Sequence, residues 1–257
     1  MTRFTCAILA LGLSTTGLFA CTEAPPPAGV LRACLYDLDP PRSTAPGSGF
    51  DVDVARLVAS RINHRLEIVW LKRPPRTEIE STDVDYRALL SGGCDLQLSV
   101  PGGAIADFEA SLSLTDPYYG TGYELIPADA DLASATLVAV RANSVAHVVV
   151  DDMGLNWTMQ PNARAIVDAV ASGDADAGLI WGPELALLMS AGVAVERNPQ
   201  FQPSAALRWN QHMAVRRSDH SLLVGINAAL SELETEIAEL LIEHRLPPHR
   251  SGDLSAP

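Results

Sequence analysis

The sequence predicts an α/β protein built from two similar lobes, and two observations carry that prediction. Between residues 30 and 71 an apolar run, an amphipathic stretch and a second apolar run follow one another. This strand, helix, strand order gives a parallel α/β unit, in which ligands sit at the carboxyl ends of the strands. Further on, ALLSGGCDLQLSVPGG (Ala88 to Gly103) is loosely repeated as AVASGDADAGLIWGPE (Ala169 to Glu184). Each copy has a helix end, Ser-Gly, a turn, an Asp, an apolar strand and a Gly/Pro break. Ser91, Gly92 and Asp95 match Ser172, Gly173 and Asp176. The spacing implies two α/β lobes rather than one continuous sheet.

At the start, MTRFTCAILALGLSTTGLFA has one Arg, an apolar stretch too short to span a bilayer comfortably, and small residues before a Cys. This is an export signal over residues 1–20. LFAC resembles a lipobox, which makes Cys21 the lipid-modified first residue of a mature lipoprotein; a soluble periplasmic product is the alternative. Residues 21–29, containing the Pro-rich TEAPPPAG, read as an extended tether.

Val30 to Leu35 is the first strand, followed by YDLDPPRSTAPGSG, a loop dense in Pro, Gly and Asp. Asp51 is placed to cap a helix whose apolar face includes Val54, Ala55, Val58 and Ile62. Leu66 to Leu71 is the second strand. LSLTDPYYGTGYELI (Leu112 to Ile126) could cross between lobes, and ALRWNQHMAVRR (Ala206 to Arg217) could return. The Leu, Ile and Ala spacing near the C-terminus suits two amphipathic helices. One lobe is therefore expected to take residues 30–122 and 210–257, the other residues 123–209.

A formal net charge of −13 over 257 residues argues against a nucleic-acid partner, which needs clustered Lys and Arg, and suits a cationic protein partner. LKRPPR (Leu71 to Arg76) is a basic island, read as a solvated loop or a docking patch. Of the four cysteines, Cys6 leaves with the signal and Cys21 takes lipid. Cys34 and Cys94 remain, and in an oxidising compartment they suggest a disulfide, with two unlinked buried thiols as the alternative. Neither has metal-ligand spacing, so no metal is expected. The six His residues are scattered and no HExxH, GxSxG or P-loop occurs, so an enzyme is not expected. On an enzyme reading, Glu184 and Asp37 would be the acid and base across a cleft.

LRACLYDLDPP, GFDVDVARLVASRI, LLSGGCD, LTDPYYGTGYELI, ASGDADAGLIWGPE and MAVRRSDHSLLVGINAALSEL, in that order, resemble the extracytoplasmic solute-binding proteins of family 3, the amino-acid-binding type. The resemblance runs from about residue 30 to 248. It implies the type II periplasmic binding protein fold: two α/β lobes, two hinge strands and a ligand cleft between the lobes. Two departures matter. Phe108 stands where such binders carry an Arg for the ligand carboxylate, and Trp181 stands where they carry an Asp for its ammonium. A free α-amino acid is therefore not the expected ligand.

LRAC, SGGCDLQLSVPGG and a strand ending in WGP are most similar to the quinoprotein dehydrogenase-associated subgroup. These accompany PQQ-dependent methanol and related alcohol dehydrogenases in the periplasm. Their paired cysteines correspond to Cys34 and Cys94. The resemblance implies an accessory or assembly role, or delivery of a small molecule. No cofactor is expected, nor any membrane contact beyond the lipid anchor; the chain is expected to be a monomer partnered by a dehydrogenase or cytochrome. An ABC permease partner, with Arg141 anchoring an acidic solute, is the alternative; a dehydratase-like enzyme on the same scaffold is another.

The strand ends would bring Tyr36 and Asp37, Pro101 and Gly102, and Trp181 and Gly182 to the cleft, with Tyr118 and Tyr119 at the hinge. Aromatic walls with a few polar groups suit a small-molecule cleft. Packing in a core or between lobes is the alternative for Trp181, and hinge packing for the tyrosines. Arg141 and Ser144 align with a helix N-terminus that presents amides and a hydroxyl to an anion.

Overall fold

The structure is a computed structural model that describes residues 29–72, 84–102, 108 and 110–247. The export signal, Cys21, the tether up to residue 28 and the Arg73 to Arg76 part of the basic island lie outside the described residues. No described helix is long and apolar enough to cross a membrane.

The first α/β unit is β1 (Gly29–Tyr36), a small antiparallel pair β2 (Leu38–Asp39) and β3 (Ser43–Thr44), α1 (Phe50–Arg61) and β4 (His64–Leu71). A short α2 (Arg87–Leu90) leads into β5 (Leu96–Pro101), and β6 (Leu112–Leu114) and β7 (Tyr119–Ile126) follow. The second unit is β8 (Val138–Arg141), α3 (Val145–Asp152), β9 (Trp157–Gln160), α4 (Ala163–Ser172), β10 (Ala177–Trp181) and α5 (Gly182–Ser190). The chain returns through β11 (Arg208–Arg216) and closes with α6 (His220–Glu232) and α7 (Glu234–Glu243).

Strand order is β4-β1-β5-β11-β7-β10-β8-β9, with β6 also on β11. Both ends carry the same parallel triplet: β1 between β4 and β5, and β8 between β9 and β10. The two halves are not separate sheets, which corrects the expectation of discontinuity. β7 is long enough to pair with β11 over Tyr119–Gly122 and with β10 over Tyr123–Ile126, and so joins them.

The internal repeat has a structural cause. Gly92 and Gly173 follow the ends of α2 and α4 with φ of 78° and 79°, the left-handed region that glycine enters without penalty. Asp95 then accepts the Arg32 N–H at 3.0 Å, and Asp176 accepts the Thr136 and Leu137 N–H groups, each at 2.9 Å. In each half the Asp ties the start of its own strand to the backbone of the central one, within β1 at Arg32 and just before β8 at Thr136 and Leu137.

Side-chain alternation along the strands separates two apolar layers in each half. Leu31, Leu35, Val54, Val58, Met213 and Ile226 form one first-half core; Leu89, Val100 and Leu112 surround the buried Cys34–Cys94 disulfide in the other. In the second half Leu125, Val138, Val140 and Leu179 pack with α3, while Ile126, Ile166, Ile180 and Leu185 pack with α4 and α5.

The start of α1 differs from the expectation. Gly49, not Asp51, is the N-cap, and no side chain caps the helix. Carbonyls of the preceding loop do so: Pro41 O accepts from Phe50 N at 3.1 Å and Arg42 O from Asp51 N at 2.8 Å. Asp51 is drawn inward instead, where it accepts from the Tyr118 hydroxyl at 2.8 Å and from the Ser99 hydroxyl.

Candidate functional site

The second-half residues converge. β8 and β10 are parallel neighbours, so their carboxyl ends lie side by side and bring Arg141 next to the first turn of α5. The Arg141 Nη1 donates to Glu184 Oε1 at 2.8 Å, with both side chains largely shielded. Ser144 is buried and caps α3, accepting from His147 N at 3.2 Å while donating to Arg141 O at 2.9 Å. Burial pushes the Tyr123 phenol up to about 12, against the pull of Ser144 and of the Ala146 and Val145 backbone at the same helix end. The N-terminus of α3 is therefore met by side-chain oxygens of the chain itself.

Beside this end lies an aromatic wall. Trp181 stacks on Trp209 with ring centroids 4.7 Å apart and planes inclined by 16°. Tyr123 is tilted against Trp181 at 5.6 Å and edge-on to Trp209 at 6.5 Å. Both tryptophans are partly exposed. Gly182 permits the turn into α5, because a Cβ there would sit 2.9 Å from Gly122 O and 3.0 Å from Pro247 Cγ. Trp209 and Tyr123 were not anticipated; the signal available was their position on the two expected crossing strands.

The first-half residues follow a different pattern. Tyr118 and Tyr119 are buried against Phe50, with ring centroids 6.2 and 5.3 Å away. Tyr118 is fixed by Asp51 and by the Ser99 N–H at 3.1 Å. Burial raises both phenols well above their ordinary range, and Asp51 adds to the rise. Arg42 is buried nearby and pairs with Asp39 at 2.6 Å. Burial disfavours its charge, but Asp39 and then Asp51 outweigh that and strengthen its hold on the proton. Asp51 is itself raised by burial, partly offset by Arg42 and its two hydroxyl donors. The loop after β1 thus places a self-neutralised ion cluster beside the tyrosines.

Tyr36 and Asp37 are committed elsewhere. The Tyr36 hydroxyl accepts from Asp85 N at 3.3 Å, and Asp37 is ion-paired with Lys72. Pro101 and Gly102 end β5 beside β11, where Gly102 N donates to Asn210 O at 2.9 Å. Phe108 packs edge-on to Tyr86 at 5.1 Å. Among the described residues no group of His, Cys, Asp and Glu is placed to hold a metal. A separate groove of about 620 Å³ is lined by Val167, Val170, Met189 and Val193 of the second half and by Arg245. It shares no residue with the aromatic wall.

No protein-family model matches the chain. A curated relative, Protein MoxJ of Methylorubrum extorquens, is 26% identical over 265 aligned positions, spanning 89% of this chain and 84% of that one. The crystal structure of MxaJ from Methlophaga aminisulfidivorans MPT is 24% identical, covers 85% of this chain and all of that one, and gives a TM-score of 0.59. The L-cystine solute receptor of Neisseria gonorrhoeae in its unliganded open conformation gives 0.69 at 14% identity, over 85% of this chain and 93% of that one. The chain thus has the type II periplasmic binding protein fold of family 3 solute receptors, and MoxJ is its relative in sequence.

Proposed function

We propose that this chain is a periplasmic binding protein that serves a quinoprotein alcohol dehydrogenase as an accessory protein, and that its cleft takes a small organic molecule other than a free amino acid. The likeness to MoxJ supports the first half of this reading. The second half rests on one observation: the cations at the candidate cleft are already spent. Arg141 is held by Glu184, and Arg42 by Asp39 and Asp51. A zwitterion entering the cleft would lose hydration without finding a free counter-charge, and an unpaired buried charge is strongly disfavoured.

The same pairing weighs against an ABC-type receptor that uses Arg141 as its anchor. On the enzyme reading, Glu184 and Asp37 would work as acid and base, but each is engaged in an ion pair. The lobes of the proposed receptor are residues 30–122 with 210–257, and 123–209, joined by β7 and β11. Export with lipid attachment at Cys21 would hold a monomer at the membrane surface facing the periplasm.

The test is reciprocal capture of the tagged full chain and a quinoprotein dehydrogenase from the periplasm of the same cells. The proposal expects the dehydrogenase in the eluate and lower dehydrogenase activity when the chain is deleted. Normal activity after deletion, with a permease captured instead, would overturn it.

A further inference from the structure

Four buried polar atoms on the crossing strands make no hydrogen bond of proper geometry: the Tyr119 hydroxyl, Thr121 Oγ1, Gln211 Oε1 and Trp209 Nε1. The register pairs Tyr119 with Gln211 and Thr121 with Trp209. Residues directly opposite, and residues two apart on one strand, share a face, so the four form one row. The row continues into the aromatic wall, because Tyr123 is next on that face and is paired with Trp181. Tyr119, Thr121 and Gln211 are 2%, 0% and 1% exposed. The Tyr119 and Thr121 hydroxyls face each other closely enough for a weak mutual hydrogen bond, but not one of proper geometry.

Buried polar groups are almost always paired, so a row of four needs an explanation. Packing at one bad contact does not supply it, since the atoms come from two strands in regular register. Their chemistry is mixed. Trp209 can only donate, the Gln211 oxygen can only accept, and the two hydroxyls can do either. Formal charge is absent from the row. Of the flanking ionic groups, Arg42 is neutralised by Asp39 and Asp51 and Arg141 by Glu184, while Glu124 and Arg208 lie on the other face of β7 and β11.

Building on the reading that the cleft binds a small organic molecule, we infer that its ligand is an uncharged, flat molecule carrying both a hydrogen-bond donor and an acceptor. Its ring lies against the Trp181–Trp209 wall and its polar end reaches the row of Trp209, Thr121, Tyr119 and Gln211. A carboxylate or an ammonium is rejected because no counter-charge is left for it.

Three probes with one ring and different charge test this on the full chain: benzamide, benzoate and benzylammonium. Binding is followed by tryptophan fluorescence and by calorimetry. Benzamide should bind saturably and at least about tenfold more tightly than either ion, since a site with unmatched polar groups discriminates by more than shape. Gln211→Met should remove most of that preference, and Thr121→Val gives a second, near-isosteric check. Equal or tighter binding of either ion overturns the inference. So does the lack of saturable benzamide binding, which would leave the row to ordered water only. The charge series needs no variant, so a substitution that fails to fold does not shelter the idea. If benzamide fails while the dehydrogenase is still captured, the ligand class falls and the accessory role stands. The opposite pattern overturns the accessory role alone.

Discussion

Trp181 lies flat against Trp209, although their strands are not neighbours: β10 and β11 flank β7 on opposite edges. The two indoles meet across β7, above the positions of Thr121 and Tyr123 with which they are paired. The stack therefore ties the second half of the fold to the returning crossover strand.

The stack should be measurable as a coupling. Offset aromatic pairs contribute about 0.5–1.5 kcal/mol beyond the area they bury. A double-mutant cycle of Trp181→Ala and Trp209→Ala, read by urea unfolding, is expected to give an interaction energy of about 1 kcal/mol. Strict additivity would mean that the rings merely lie near each other.

Glu184→Gln should change what the cleft accepts. The substitution keeps the shape but removes the charge that neutralises Arg141. Benzoate affinity is expected to rise by about tenfold or more, since charged hydrogen bonds are roughly twice as strong as neutral ones. Unchanged benzoate affinity would show that Arg141 does not face the cleft.

Asp95 supplies a pH dependence. Burial would raise its carboxyl, but Arg32, bonded at 2.7 and 3.1 Å, and Arg216, at 3.3 Å, hold it below its ordinary value of 3.8. The folded state therefore takes up the proton less readily than the unfolded chain. This stabilisation is fully present above about pH 4 and is lost as pH falls through the lowered value. Asp95→Asn should lower stability near neutral pH and flatten the acid limb of the stability curve. An acid limb identical to that of the parent would contradict the assignment.

The disulfide closes a sequence separation of 60 residues. On the chain-entropy account a loop of that size contributes about 4 kcal/mol. Replacing Cys34 and Cys94 together by Ala should lower the free energy of unfolding by that order, and mass measurement after alkylation should find neither thiol free in the parent. An alkylated Cys34 or Cys94 in the unreduced parent would remove the premise.

Local signals in the sequence were legible because they act through neighbours in the chain. Ser-Gly-x-x-Asp was read as a repeat, and the structure gives the cause: a left-handed glycine and an Asp that binds the next strand's N–H groups. Trp181 stood out for the same reason, as a strand end before Gly-Pro. What remained hidden depends on contacts far apart in sequence. Trp209 looked like an ordinary strand residue until β7 brought it over Trp181. Arg42 lies in the loop dense in Pro, Gly and Asp, and its burial beside Tyr118 and Tyr119, far along the chain, appears only in the fold. Asp51 illustrates the limit well: helix-capping chemistry was right for its type, but loop carbonyls filled that role and freed it for Tyr118 and Ser99.

Direct calorimetric titration of the full chain with the standard amino acids, near neutral pH, tests the claim that the cleft has no charge left to offer. The account predicts no saturable heat at millimolar ligand. Micromolar binding of any one of them, lost on Arg141→Ala, would contradict it.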